Sequence, residues 1–132
     1  MEKKKVLLIE DDLDLSNLYK EYLTAAKFDV ITARDKEEGL KLALQEKVDF
    51  ILLDVMLAED SSGLDLLRDL RASEKDKETP VVMLTNVAKD EEKKMALNLG
   101  AKEYLVKASS KPKEIVKTVK KYTGTLKDSE KE

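Results

Sequence analysis

The sequence predicts an α/β domain: a doubly wound, five-stranded parallel sheet in the order 2-1-3-4-5, flanked by five helices. Three observations carry that prediction. Short, nearly unbroken apolar runs recur along the chain, helix-period stretches separate them, and capping or turn residues mark the junctions. Unbroken runs suit strands buried on both faces. Their alternation with helices calls for a parallel sheet, and right-handed crossovers leave 2-1-3-4-5 as a common solution.

Each element has its own signal. Val6-Leu7-Leu8-Ile9 is the first strand. Leu15, Leu18, Tyr19, Tyr22, Leu23 and Ala26 follow at helical spacing and predict one apolar helix face. Phe28 to Ala33 reads as the second strand. Asp35-x-x-Glu38 has the form of a capping box and opens a helix with Leu40, Ala43 and Leu44 inward. Val48 to Leu53, interrupted only by Asp49, is the third strand, and Leu64 to Leu70 the helix after a Gly63 turn. Thr79-Pro80 breaks that helix and leads into Val81-Val82-Met83-Leu84. The next helix runs from about 89 to 99, with Asp90, Glu91 and Glu92 in the first turn, where the helix dipole favours them. Gly100 stops it. Glu103 to Val106 is the last strand, and Pro112 lies in the first turn of a final helix carrying Ile115, Val116, Val119 and Tyr122. We expect a domain over residues 1–123 and a polar, frayed tail over 124–132.

Composition narrows the chemistry. The 132 residues suit one domain, and 42% apolar content supports a packed core despite 40% charged residues. There is no cysteine and no histidine. That removes thiol nucleophiles, the Ser-His-Asp triad, the common zinc sites and any phosphohistidine on this chain. A net charge of −3 argues against direct nucleic-acid binding. The apolar runs fall far short of the ~20 residues of a membrane span, and Met1 to Lys5 leads into no signal-peptide core. The expectation is a soluble cytoplasmic domain, with no membrane contact, that works with carboxylates, hydroxyls and lysines.

In doubly wound sheets ligands bind beyond the carboxyl ends of the strands, at the switch point between strands 1 and 3. Glu10-Asp11-Asp12 follow strand 1, Asp54 ends strand 3, Thr85 ends strand 4 and Lys107 ends strand 5. Singly, each has a bland explanation: Asp is a common turn residue, and Asp12 suits a helix cap. Together they are harder to dismiss. Clustered carboxylates raise one another's pKa unless a cation offsets them. An oxygen-only site with few protein ligands suits Mg²⁺, and a nearby hydroxyl and ammonium are donors for phosphoryl oxygens. One carboxylate is then free to act as a nucleophile in phosphoryl transfer.

Over about residues 4–122 the chain resembles the receiver domain of two-component response regulators, which has a flavodoxin-like fold. The segments that carry the resemblance are Val6 to Asp11, Ile51 to Met56, Val82 to Thr85 and Leu99 to Lys107. Separations of 43 residues from Asp11 to Asp54, 31 on to Thr85 and 22 on to Lys107 are similar to the family's spacing. The resemblance implies that Asp54 accepts a phosphoryl group from the phosphohistidine of a sensor histidine kinase or a histidine phosphotransfer protein. It implies Mg²⁺ on Asp11, Asp54 and the Met56 backbone carbonyl, with Glu10 acting through water. Lys107 would bridge to Asp54 and the phosphate, Thr85 would move to the phosphate, and Tyr104 would swing inward behind it. A face built from helix 4, strand 5 and helix 5 would then shift its population and be read by a downstream protein.

Three positions depart from the family's pattern. Ala108 stands where proline usually follows the lysine through a cis bond. A non-proline cis bond costs roughly 2.5–4 kcal/mol, so we expect a trans Lys107–Ala108 link and a changed aim for Lys107. Ala58 replaces a usual proline and Gly63 comes one residue late, which predicts a longer, more mobile stretch from Ala58 to Ser62. Asn86, where a small residue is common, would narrow phosphate access and alter the dephosphorylation rate.

Competing functions fit less well. An Mg²⁺-dependent phosphatase using Asp54 as nucleophile would need a second acid shortly after it and a cap, and Asp54-Val55-Met56 supplies neither. A flavodoxin-like cofactor binder would need a Gly- or Ser/Thr-rich phosphate loop where Glu10-Asp11-Asp12 stands. A degenerate receiver would lack part of the acidic set. Lys111, Lys113, Lys117, Lys120 and Lys121 make the last helix basic, a docking face for an acidic partner or a homodimer; a solvated face is the simpler reading. The few residues after 123 would not hold a DNA-binding effector, so a stand-alone receiver acting by partner binding or phosphorelay is expected unless the chain is a fragment.

Overall fold

Each apolar run becomes a strand, and each helix-period stretch a helix, in the computed structural model, which describes residues 3–73 and 78–130. The order is β1 (Lys5–Ile9), α1 (Leu13–Ala25), β2 (Asp29–Ala33), α2 (Lys36–Gln45), β3 (Phe50–Asp54), α3 (Gly63–Ser73), β4 (Val81–Thr85), α4 (Asp90–Asn98), β5 (Glu103–Val106) and α5 (Pro112–Thr123). All strand pairs are parallel, and the sheet order is β2-β1-β3-β4-β5. The sequence expectation of fold class is met in full.

The alternation of side chains along each strand divides the core in two. Leu7, Ile9, Ile51, Leu53, Val81 and Met83 face α2, α3 and α4, while Val6, Leu8, Phe50, Leu52, Val82 and Leu84 face α1 and α5. Burying each such side chain stabilises the fold by roughly 1.5–3 kcal/mol, which is why the buried stretches Val6–Ile9, Phe50–Leu53 and Val81–Leu84 of the three central strands are wholly apolar.

Several boundaries move for identifiable reasons. β3 starts at Phe50, and just before it Asp49 is held to Lys5 twice, its carboxylate accepting from the Lys5 backbone N–H at 2.8 Å and its own N–H donating to the Lys5 carbonyl at 2.8 Å. Phe28 still belongs to the turn after α1: its N–H bonds the Leu23 carbonyl, and Lys27 before it has a positive φ of 75°. Leu44 is 47% exposed. The inward positions of α2 are Leu40, Leu42 and Ala43, so the expected place of Leu44 is corrected. Leu18 and Tyr22 on α1 are exposed too.

The tail is not frayed as far as Glu130. Asp128–Glu130 form a short 3₁₀ turn, and Lys120 Nζ on α5 pairs with Glu130 Oε2 at 2.6 Å. The rest of the predicted tail, Lys131 and Glu132, and the first two residues of the lead-in, Met1 and Glu2, lie outside the described residues.

Candidate functional site

Register places the site. Ile9 pairs with Leu53, Asp54 with Leu84, and Thr85 with Val106. The next residue on each strand therefore emerges at one level of the sheet edge, and Glu10, Asp54, Thr85 and Lys107 arrive together. Asp12 takes the bland role weighed for it, capping α1 by accepting from the Leu15 N–H at 3.1 Å. Its own N–H donates to Glu10 Oε1 at 3.3 Å, and Arg34 donates to the Asp11 carbonyl at 3.2 Å, which together shape the loop after β1.

Lys107 is the hub. Its Nζ donates to Asp54 Oδ2 at 2.9 Å and to Glu10 Oε1 at 3.1 Å, and it lies 2.9 Å from Glu10 Oε2. The Lys107–Ala108 bond is trans, as expected, since the described residues contain no cis peptide. Lys107 begins a 3₁₀ turn over Lys107–Ser109 and still reaches both carboxylates.

Glu10 is 1% and Asp54 3% exposed, whereas Asp11 is half-buried and Met56 is exposed. Burial pushes the Glu10 carboxyl up to about 7, with the Asp54 charge adding to the rise and Lys107 opposing it. Glu10 Oε2 accepts no hydrogen bond, the one buried side-chain polar atom so placed among the described residues. Carboxylate oxygens of Glu10, Asp11 and Asp54 lie within 4.8 Å of one another. One ammonium does not balance three carboxylates, so this donor set fits a hard divalent cation of the Mg²⁺ type.

The loop after Asp54 is tied by backbone hydrogen bonds. Met56 and Ser62 form an antiparallel bridge, and Leu57 N–H bonds the Ser61 carbonyl at 3.0 Å. At the tip Ser61 N–H bonds the Ala58 carbonyl at 3.3 Å across Glu59 and Asp60, whose φ values are 63° and 52°. Two positive φ angles in succession are what a type I′ turn requires. Gly63 sits so close beneath β3 that a Cβ there would stand 2.1 Å from the Asp54 carbonyl oxygen. Sequence reasoning took it only as a turn; its function is to let α3 begin against the backbone of Asp54.

Thr85 is buried, and its hydroxyl lies 3.1 Å from the Val87 carbonyl and 3.5 Å from Glu92 Oε1. Tyr104 donates to the same Glu92 oxygen and accepts from the Lys89 N–H at 3.2 Å. Tyr104 thus already lies over the junction of β4 and α4. Asn86 is exposed. Glu92 is the residue sequence reasoning missed: as one of three acids in a first turn, it carried no signal beyond the dipole. Tyr19, buried on α1 and close enough to feel Lys107, Glu10 and Asp54, was read only as core.

Comparison with known proteins agrees with this geometry. Residues 6–120 match the family model for the response regulator receiver domain. The transcriptional regulatory protein CpxR of Escherichia coli K12 is 42% identical over 103 residues, 78% of this chain and 42% of its own. The alkaline phosphatase synthesis transcriptional regulatory protein PhoP of Bacillus subtilis is 42% identical over 119 residues, 89% of this chain and 47% of its own. The chain thus spans less than half the length of these relatives. Among solved structures, the chemotaxis response regulator CheY4 of Vibrio cholerae has a TM-score of 0.82 at 29% identity, covering 92% of this chain and 99% of that one. A response regulator of Burkholderia pseudomallei, solved with a phosphorylated aspartic acid and a calcium ion, has a TM-score of 0.76 at 32% identity, covering 86% and 65%. The described residues include no helix long and apolar enough to cross a membrane. By sequence, fold and the strand ends that meet at its edge, the chain belongs to the response regulator receiver domains of two-component systems.

Proposed function

We propose that Asp54 is a phosphoacceptor that takes its phosphoryl group from the phosphohistidine of a sensor histidine kinase or histidine phosphotransfer protein. The observation that carries this reading is the 2.9 Å contact between Lys107 Nζ and Asp54 Oδ2 inside the acidic cluster with Glu10 and Asp11. An Asp54 carboxylate oxygen attacks phosphorus, an acyl-phosphate P–O bond forms, and the donor's P–N bond breaks. The bonding pair leaves with the imidazole, which takes up a proton. Hydrolysis by water returns the Asp54 carboxylate and inorganic phosphate. Lys107 holds Asp54 before transfer and offers its ammonium to the phosphoryl oxygens afterwards. Thr85 supplies a second donor, and Tyr104 follows it.

Mg²⁺ would be held by Asp11, Asp54 and the Met56 backbone carbonyl, with Glu10 through water; when bound it neutralises charge on the phosphoryl oxygens. Phosphorylation replaces the single charge of the Asp54 carboxylate with about −1.5 to −2 on the phosphoryl group and brings three acceptor oxygens beside a single lysine, and the resulting rearrangement of α4, β5 and α5 is the output. The Burkholderia relative with its phosphorylated aspartic acid supports the chemistry. The curated relatives named above are transcriptional regulators longer than this chain, so the surface is expected to act on a further domain, a second copy or a separate protein in the cytoplasm.

The test is direct. Incubation with Mg²⁺ and acetyl phosphate, which releases acetate in place of imidazole, should add one phosphoryl mass by intact-protein mass spectrometry. Asp54→Asn should remove that increment entirely. A persisting increment, or steady turnover of unrelated phosphoesters, overturns the reading.

A further inference from the structure

The donors recruited by a phosphorylated Asp54 do not start free. A threonine hydroxyl has one proton to give. In this structure it is directed to the β4–α4 side, toward the Val87 carbonyl at 3.1 Å and Glu92 Oε1 at 3.5 Å. Glu92 Oε1 is the acceptor for Tyr104 and also lies within reach of the Thr85 hydroxyl, whose nearer acceptor is the Val87 carbonyl, so one carboxylate oxygen borders two hydroxyls from two different strands. Its environment sets Glu92 apart from its neighbours in the first turn of α4. Asp90 and Glu91 are exposed and Glu92 is half-buried. An ionised carboxylate is a stronger acceptor than a neutral carbonyl, and partial burial protects it from screening.

We propose that Glu92 is a positioning residue whose carboxylate pins the hydroxyls of Thr85 and Tyr104 to the first turn of α4 and so competes with the phosphoryl group for Thr85. This inference rests on the phosphoacceptor reading of Asp54. Its content is separate: the resting state is held by a specific acidic group as well as by the absence of phosphate. When Thr85 turns to a phosphoryl oxygen, it gives up its contacts with the Val87 carbonyl and Glu92, and the first turn of α4 loses a tether to β4. Tyr104 remains bound to that turn, which links events at Asp54 to the outward face of α4 and β5 by a single shared atom. Burial, with the Glu92 carboxylate next, holds the Tyr104 phenol above its ordinary value, which makes the contact visible without phosphate.

The experiment uses Glu92→Ala, Glu92→Gln and, as a control for charge alone, Glu91→Ala. Beryllofluoride with Mg²⁺ serves as the phosphoryl mimic, and its affinity is read by titration calorimetry. Removing a charged competitor should tighten beryllofluoride binding in Glu92→Ala by about 5- to 10-fold. Glu92→Gln keeps a neutral acceptor and should fall between Glu92→Ala and the parent. Glu91→Ala should stay within about 2-fold of the parent. In parallel, the phenolate absorbance of Tyr104, isolated by subtracting Tyr104→Phe, should titrate at lower pH in Glu92→Ala than in the parent. Equal tightening in all three variants means bulk charge and overturns the pin. So does an unchanged affinity in Glu92→Ala, whether or not the Tyr104 titration moves. A parent that neither binds beryllofluoride nor gains phosphoryl mass from acetyl phosphate would instead bring down the phosphoacceptor reading itself.

Discussion

At the amino-terminal side of the sheet, Arg71 donates to the Thr79 carbonyl at 2.9 Å, to Gly100 at 3.2 Å and to Leu99 at 3.3 Å, tying α3 to the entrances of β4 and β5. At the carboxyl-terminal side, Lys107 serves two buried carboxylates, and one Glu10 oxygen still lacks a hydrogen bond. Both cations are partly buried and both reach across elements. The difference lies in what they meet. Carbonyls at the entrances of two strands take hydrogen bonds from the guanidinium and add stability, whereas surplus acid leaves the ammonium outnumbered and the site dependent on further positive charge. The same fold therefore keeps one rim as a fastening and the other as a receptor.

That contrast is best broken at Arg71. Arg71→Ala strips donors from carbonyls at two junctions and should cost about 3 kcal/mol, seen as a clear fall in melting temperature by circular dichroism. Phosphoryl uptake at low temperature should be unchanged, since no active-edge group is touched. A variant that melts normally would show the fastening to be idle.

The opposite rim should respond with the opposite sign. Glu10→Gln removes a carboxylate whose ionised form burial disfavours, so the metal-free variant should be more stable than the parent by about 1–2 kcal/mol. Mg²⁺ should raise the parent's melting temperature by several degrees and the variant's by less. Equal gains in both would remove Glu10 from the cation site. The smallest effect belongs to the loop. Glu59 holds a positive φ of 63° that glycine adopts without penalty, so Glu59→Gly should add about 0.5–1 kcal/mol. Thermal melts would again decide, and a loss of stability would mean that the side chain has a partner role.

The strand ends were legible because register, not packing detail, carries them to the edge: once Val6–Ile9, Phe50–Leu53 and Val81–Leu84 are strands, Glu10, Asp54 and Thr85 have nowhere else to emerge. Lys107 followed from the same logic. Glu92 was hidden because its task depends on how α4 crosses over β5, and a string of three acids looks alike from sequence. Leu44 misled for a related reason. A leucine one step off the helix face matches the apolar period loosely, and only the position of the neighbouring helix decides that it faces water. The ties of the loop from Ala58 to Ser62 were not legible, since beside its local bonds it is held by backbone groups of Arg34 and Lys36, distant in sequence.

The clasp between Met56 and Ser62 closes below the turn tip, so chain growth between Glu59 and Asp60 would hang outward without passing beneath Asp54. The tip is therefore a grafting point: an epitope, a fluorophore-bearing peptide or a whole folded insert placed there would report on the molecule while leaving its chemistry undisturbed.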